Sequence, residues 1–237
     1  MRPEGIQNVL SFMRIAKIIF DLDGTLLDSA RVTAAIVDRM LAERSAGTRA
    51  DPALIRRMDA VGGEAMIAAA LGAFSSDPSR EIDEFRAIHK IIDVPADLPF
   101  PGVRKALCEL SQAGVAMAIC SNKPQFLCDR ILGELGLAGH FAAIIGSAPD
   151  RPRKPHPQTA HLALQGLGGT PEDTLYCGDS LVDLATARAA GLHAVLVAWG
   201  YGTEEALALE PRTPVLPSLS ALQDAVLEHG SLALGSR

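Results

Sequence analysis

The sequence predicts an α/β protein, a doubly wound parallel sheet with helices on both faces and a helical insertion after its first strand. Three observations lead to this. From about residue 103 onward, helical stretches and short apolar runs alternate with brief connections, the pattern that builds a parallel sheet. Upstream, the apolar run Ile15 to Phe20 ends abruptly in Asp21, as a buried strand does. Between the two, from Ala30 to about His89, Ala, Leu, Ile and Met recur at three- and four-residue spacing without β-branched alternation. Gly62-Gly63 and Asp77-Pro78 cut that stretch into several short helices.

Taken in order, residues 1–13 are polar and mixed, with Pro3 and Gly5, and are expected to form a loose leader before or up to a second methionine, Met13. A first strand over 15–20 follows, then the helical insertion. The proline-dense segment from Val94 to Gly102 reads as a stiff linker out of it. Beyond it the expected units are helix 103–113 with strand 115–120, helix 124–135 with strand 141–145, helix 157–166 with strand 174–177, and helix 181–190 with strand 193–198. The expected division is 14–29 plus 99–237 for the sheet core and 30–98 for the insertion, within the reach of a 237-residue chain.

Composition narrows the function. With 48% hydrophobic and 21% charged residues the chain is globular rather than disordered. The net charge of −6 argues against a sequence-independent nucleic-acid binder, which needs a basic face, and 4% aromatics argues against base-stacking platforms. The first 20 residues carry Arg14 and Lys17 within their apolar stretch, unlike a signal peptide, and no apolar run approaches the length of a membrane span. Cys108, Cys120, Cys128 and Cys177 lie in apolar surroundings without paired spacing, as reduced thiols of a cytoplasmic protein do.

In such sheets ligands bind beyond the carboxyl ends of the strands. The first strand ends in Asp21-Leu22-Asp23-Gly24-Thr25. Two carboxylates two residues apart in extended chain point to one side, roughly 6–7 Å apart, and a divalent cation is the usual remedy for their repulsion. Gly24 lets the backbone turn at once, although an ordinary Asx turn would read the same. The second strand ends in Ser121-Asn122-Lys123-Pro124, where a hydroxyl, an amide and free N–H groups can cradle an anion or merely cap a helix. After the third comes Arg153-Lys154-Pro155, whose rigid flanks can aim the Lys154 ammonium at a ligand or leave it in a solvated basic loop. The fourth ends in Gly178-Asp179, with Asp183 one helical turn later on the same face. These hard oxygen donors suit Mg²⁺, or complement a helix dipole.

These four segments together, spread over residues 14–210, resemble the haloacid dehalogenase-like hydrolase superfamily. Within it, Phe20 to Ser29, Lys154-Pro155-His156-Pro157 and Trp199-Gly200-Tyr201-Gly202 are most similar to phosphoglycolate phosphatases. The resemblance implies a Rossmann-like core with a small α-helical cap, and Mg²⁺-dependent hydrolysis of a small phosphorylated metabolite through an aspartyl-phosphate. By that resemblance Asp21 is the nucleophile and Asp23 the acid and base. Ser121 holds phosphoryl oxygens and Lys154 neutralises charge. Asp21, Asp179 and the backbone carbonyl of Asp23 are the metal ligands, supported by Asp183. Gly24, Thr25 and Asn122 line the substrate site. In the cap, Arg56, Arg57 and the Gly62-Gly63 turn before Glu64 are specificity candidates, with hinges near 28–30 and 95–101.

An aspartate at position 23 disfavours dehalogenation, which lacks a carboxylate there. A phosphomutase, a nucleotidase or pyrophosphatase, and a non-enzymatic binding module remain alternatives. His89, His140 and His193 read as structural or surface groups, and Trp199 as packing. Either a monomer or a homodimer fits the Ala- and Leu-rich helix faces.

Overall fold

A computed structural model describes residues 11–58, 63–227 and 231–234. Its centre is a six-stranded, all-parallel sheet. The strands are β2 (Lys17–Phe20), β3 (Ala116–Pro124), β4 (Ala143–Ser147), β5 (Thr174–Gly178), β6 (His193–Val197) and β7 (Val215–Leu216). They lie in the order β4-β3-β2-β5-β6-β7. The chain builds outward from β2 in one direction through β3 and β4, then returns to β5 on the other side. The carboxyl end of β2, between β3 and β5, is therefore the topological switch point.

Side chains alternate across the sheet with the two-residue period of a strand. Ile18 and Phe20 of β2, Met117 and Ile119 of β3, and Leu175 and Cys177 of β5 enter one core layer. Ile19, Ala118, Cys120 and Tyr176 enter the other. The first layer is covered by α5 (Val103–Gln112), α6 (Gln125–Glu134) and α10 (Leu219–Leu227), the second by α7 (Gln158–Gly166) and α8 (Leu181–Ala189). The second layer packs through small residues, Ala160, Ala163 and Ala187, so these helices sit close to the sheet. The expected α/β class, with a parallel sheet and helices on both faces, holds.

Between β2 and α5 lie four helices: α1 (Ala30–Glu43), α2 (Pro52–Met58), α3 (Gly63–Leu71) and α4 (Pro78–His89). They pack on one another around Ile36, Met40, Ile55, Ile67 and Phe85, in continuity with the first sheet layer. Helix α4 starts where Asp77-Pro78 predicted. The Asp77 side chain accepts from the Arg80 N–H, and proline occupies a first-turn position that has no intrahelical bond to lose. The two chain crossings into and out of this insertion are paired. The Asp28 N–H donates to the Leu98 carbonyl and the Phe100 N–H to the Leu26 carbonyl, both at 3.0 Å.

Two expectations change. Residues 11–13, assigned to the loose leader, belong to strand β1 (Ser11–Arg14), which pairs antiparallel with β8 (Ser231–Leu234). The chain beyond residue 200 holds α9 (Thr203–Leu209), β7 and α10, which the alternation pattern did not anticipate. Strand β7 has only two residues, too few to show any period. No helix among the described residues is long and apolar enough to cross a membrane.

Candidate active site

The four strand-end segments converge at the carboxyl edge of β2, β3 and β5, in a cavity of about 630 Å³ walled on its far side by the insertion. Asp21, Asp23, Ser121, Asn122, Lys154 and Asp179 all line it, as do Arg56, Arg57 and Gly63. Gly62 lies outside the described residues.

Lys154 is the hub. Its ammonium donates to Asp183 Oδ1 at 2.7 Å and stands 3.0 Å from Asp21 Oδ1, with the Cys120 carbonyl at 3.1 Å and the Tyr176 hydroxyl at 3.4 Å. The Lys154 side chain is 3% exposed and that of Asp183 not at all. Burial alone would lower the lysine, but Asp183 and Asp21 more than offset it and hold it charged. Asn122 fixes this lysine from behind: its Oδ1 accepts the Lys154 N–H at 2.8 Å and its Nδ2 donates to the Lys154 carbonyl at 3.2 Å. The Asn122 side chain is thus committed to positioning Lys154, while the residue still lines the cavity.

Asp183 receives five donors: Lys154, the Tyr176 hydroxyl, the N–H groups of Asp179 and Ser180, and the Ser180 hydroxyl. The Ser180 side chain in turn caps α8, completing a reciprocal capping box. Asp183 thus both takes part in the start of α8 and holds Lys154 in the cavity. Its carboxyl is held below the usual range: burial opposes ionisation, but the Lys154 charge and these donors outweigh it.

Asp179 is shaped by residues expected at the substrate. Thr25 donates to its Oδ1 at 3.3 Å, and the N–H groups of Tyr201 and Gly202 reach Oδ2 at 2.8 and 3.3 Å. Gly24 lies at φ +76°, where a Cβ would stand 2.4 Å from Asp179 Oδ2. A side chain there would be strained and would displace this carboxylate. Gly24 and Thr25 thus serve the Asp179 carboxylate. Gly200 approaches equally closely, since its Cβ would fall 2.1 Å from that of Asp179.

Asp23 faces the insertion. Lys123 holds both of its oxygens, at 3.0 and 3.2 Å. Burial would raise this carboxyl, yet the Lys123 charge brings it below its ordinary value. No role for Lys123 is legible in the sequence alone. Its signal was its place, two residues past the β3 serine. The Ser121 hydroxyl is buried and accepts the Lys123 N–H at 3.1 Å.

Asp21 is pushed up to about 7, by burial first and by the neighbouring Asp183 charge second, against the pull of Lys154. The site thus gathers Asp21, Asp23, Asp179 and Asp183 against two ammonium groups, an excess of negative charge in a buried place. Ligand oxygens of Asp21, Asp179 and Asp183 lie within 4.8 Å of one another. Such hard carboxylate donors fit a divalent cation. Asp23 offers no side-chain oxygen to this cluster, because its carboxylate is turned to Lys123.

Arg56 reaches the cavity wall but is engaged. Its guanidinium lies 3.3 Å from both Asp28 oxygens and 5.7 Å above the Tyr201 ring, while the Tyr201 hydroxyl donates to Asp28 at 2.6 Å. It ties the insertion to the core. Trp199 packs against Phe100 and donates to the Thr25 carbonyl at 3.1 Å, as the packing reading expects.

A family model for haloacid dehalogenase-like hydrolases matches residues 15–191. The phosphoglycolate phosphatase of Xylella fastidiosa (strain 9a5c) is 36% identical over 191 residues, covering 79% of this chain and 82% of that one. The phosphoglycolate phosphatase of Mesorhizobium japonicum is 34% identical over 225 residues, covering 92% and 97%. Among solved structures, a haloacid dehalogenase-like family hydrolase from Streptococcus pneumoniae superposes with a TM-score of 0.73 at 25% identity, covering 89% and 97%. With its strand-end acids and lysines so arranged, the chain belongs to the haloacid dehalogenase-like hydrolases, and is a phosphatase of their phosphoglycolate phosphatase-like group.

Proposed function

We propose that the protein hydrolyses a small phosphate monoester, phosphoglycolate or a close analogue, through an aspartyl-phosphate on Asp21 with Mg²⁺ as cofactor. The observation that carries this is the meeting of Asp21, Lys154 and Asp179 from three different strand ends in one buried cluster. Asp21 and Asp179, with the Asp23 carbonyl, would hold the cation, and Asp183 would support it. When bound, Mg²⁺ supplies charge compensation between the carboxylates and the phosphoryl oxygens.

Each step then falls to a residue of this chain. Asp21 attacks phosphorus in line and the leaving alcohol departs, which splits one hard displacement into two easier ones. Asp23 gives the alcohol its proton and later takes one from the water that releases phosphate. In the free protein Asp23 is ionised against Lys123. Its acid role requires that Lys123 turn towards the incoming phosphoryl group and that Asp23 take up a proton with the substrate. Ser121 and the adjacent N–H groups hold non-bridging oxygens, and Lys154 balances the charge of Asp21. The insertion, residues 30–98, acts as a cap over the core formed by 14–29 and 99–237, hinged at the paired crossings and excluding water when shut.

The test is phosphate release in the presence of Mg²⁺ from phosphoglycolate, sugar phosphates, nucleoside monophosphates and pyrophosphate. Phosphoglycolate is expected to lead. A nucleotide or pyrophosphate well ahead of it would replace the substrate but keep the reaction. Transfer of the phosphoryl group between sugar hydroxyls, in place of release, would make the protein a mutase.

A further inference from the structure

Tyr176 sits within β5, beside Ile19 of β2, and has no exposed surface. Its ring belongs to the small-residue layer of Ala160, Ala163 and Ala187 under α7 and α8. Its hydroxyl ends among the partners of Lys154: Asp183 Oδ1 lies at 3.1 Å, and the Lys154 ammonium and the Cys120 carbonyl each at 3.4 Å. A phenylalanine would fill the same space, so packing accounts for the ring and not for the oxygen.

The donors and acceptors here can be counted. The ammonium has three N–H bonds. Four oxygens surround it: Asp183 Oδ1 at 2.7 Å, Asp21 Oδ1 at 3.0 Å, the Cys120 carbonyl at 3.1 Å and the Tyr176 hydroxyl at 3.4 Å. Tyr176 alone among the four brings a proton of its own. Of the two acceptors within its reach, Asp183 Oδ1 is nearer and ionised, and takes that proton. The ammonium protons are then left for Asp183, Asp21 and the Cys120 carbonyl, one each. Asp183 Oδ2 is filled separately, by the N–H groups of Asp179 and Ser180 and by the Ser180 hydroxyl. Among the described residues Lys154 is the only side chain on Asp21 Oδ1, whose other donor is the Leu22 N–H at 2.7 Å. Without the tyrosine proton, Asp183 Oδ1 would depend on Lys154 alone and draw the ammonium away from Asp21.

We propose that Tyr176 is a positioning residue: by donating to Asp183 Oδ1, its hydroxyl holds the Lys154 ammonium between Asp183 and Asp21 and so sets the lysine's contact with the nucleophile. This rests on the phosphatase reading above and deepens it, since Lys154 there balances the charge of Asp21. Tyr176 does not line the cavity, so its effect on the ester passes through Lys154. The hydroxyl therefore governs the chemical step more than the affinity for substrate.

The experiment uses Tyr176→Phe, which removes the oxygen and keeps the ring. With Mg²⁺, and with the ester that the native protein cleaves fastest, kcat for phosphate release is expected to fall about tenfold. That is the low end of what one hydrogen bond to a charged group is worth. KM should stay within about twofold. A second measurement reads the carboxyl ¹³C resonances of the metal-free protein, native and variant. Asp21 has no hydrogen bond to Tyr176, so a change there arrives by way of Lys154. Asp179, whose carboxylate is held by Thr25, Tyr201 and Gly202, is the reference. The Asp21 resonance should move in the variant while that of Asp179 stays. A kcat within about twofold of the native value, whether or not stability falls, would overturn the proposal. So would an unmoved Asp21 resonance, or Asp21 and Asp179 moving together, which would mark a general rearrangement. Absence of phosphate release by the native protein from every ester would sink the phosphatase reading instead, and the two resonances would still decide on Tyr176.

Discussion

Two lysines face two motif aspartates in this molecule, and their surroundings differ. Lys154 and Asp183 are closed within the core, while Asp21, with its side chain 12% exposed, opens on the cavity: four acceptors or hydroxyls surround the ammonium, and Asp183 has five donors of its own. Lys123 and Asp23 lie on the wall next to the insertion, with side chains 9% and 15% exposed. The first cluster is built from core residues alone and can hold Asp21, the proposed nucleophile, in place before anything binds. The second borders the last helix of the insertion, and under the proposed mechanism it holds the residue that would transfer the proton.

This contrast can be broken from either side, and the largest effect is expected at the nucleophile. Asp21→Asn should lower turnover by roughly 10³-fold or more, with unchanged circular dichroism. A variant keeping most of its phosphate-release rate would remove Asp21 from that role. Lys154→Met should do damage of two kinds. It leaves buried carboxylates facing one another without their cation, so a loss of about 3–5 kcal/mol in urea unfolding is expected along with loss of turnover. If Lys154→Met is as stable as Lys123→Met, the two clusters do not differ as described.

A finer test uses pH. The imidazole of His89 is held below its ordinary value by burial and by Lys123, with Asp23 pulling the other way and Arg130 adding to the depression. A histidine that is neutral in the fold but protonates more readily when unfolded contributes stability above about pH 6.5. That stability is lost as the pH falls towards about 4. Thermal melts of the metal-free protein should therefore lose more stability over this window than those of His89→Asn. Parallel curves would mean that the ring is already charged or solvated. The smallest effect belongs to the tie between insertion and core. Arg56→Ala removes a pair whose guanidinium is 43% exposed, and should cost under about 1 kcal/mol. A loss above 2 kcal/mol by urea unfolding would make that contact structural.

The sequence reached the strand ends because chemistry there is written in short segments. Asp21-Leu22-Asp23-Gly24-Thr25, Ser121-Asn122, Lys154-Pro155 and Gly178-Asp179 with Asp183 each follow an apolar run that marks the end of a strand. Strand–helix alternation told which ends would share an edge. Pairings between side chains distant in the chain were beyond its reach. Thr25 answers to Asp179, Asn122 to Lys154, and Lys123 to Asp23, across 154, 32 and 100 positions. The surroundings of His89 are illegible in the sequence for the same reason. A lone histidine at a helix end carries no local sign of what it faces.

Local pattern by itself determined the α/β class, the helical insertion and the acids and lysine of the site, because periodicity and strand-end chemistry act over a few residues. Tertiary structure alone decided which carboxylate pairs with which lysine and that Gly24 makes room for Asp179. Those outcomes depend on burial and on distances between segments brought together only by the sheet, and no short-range rule contains them.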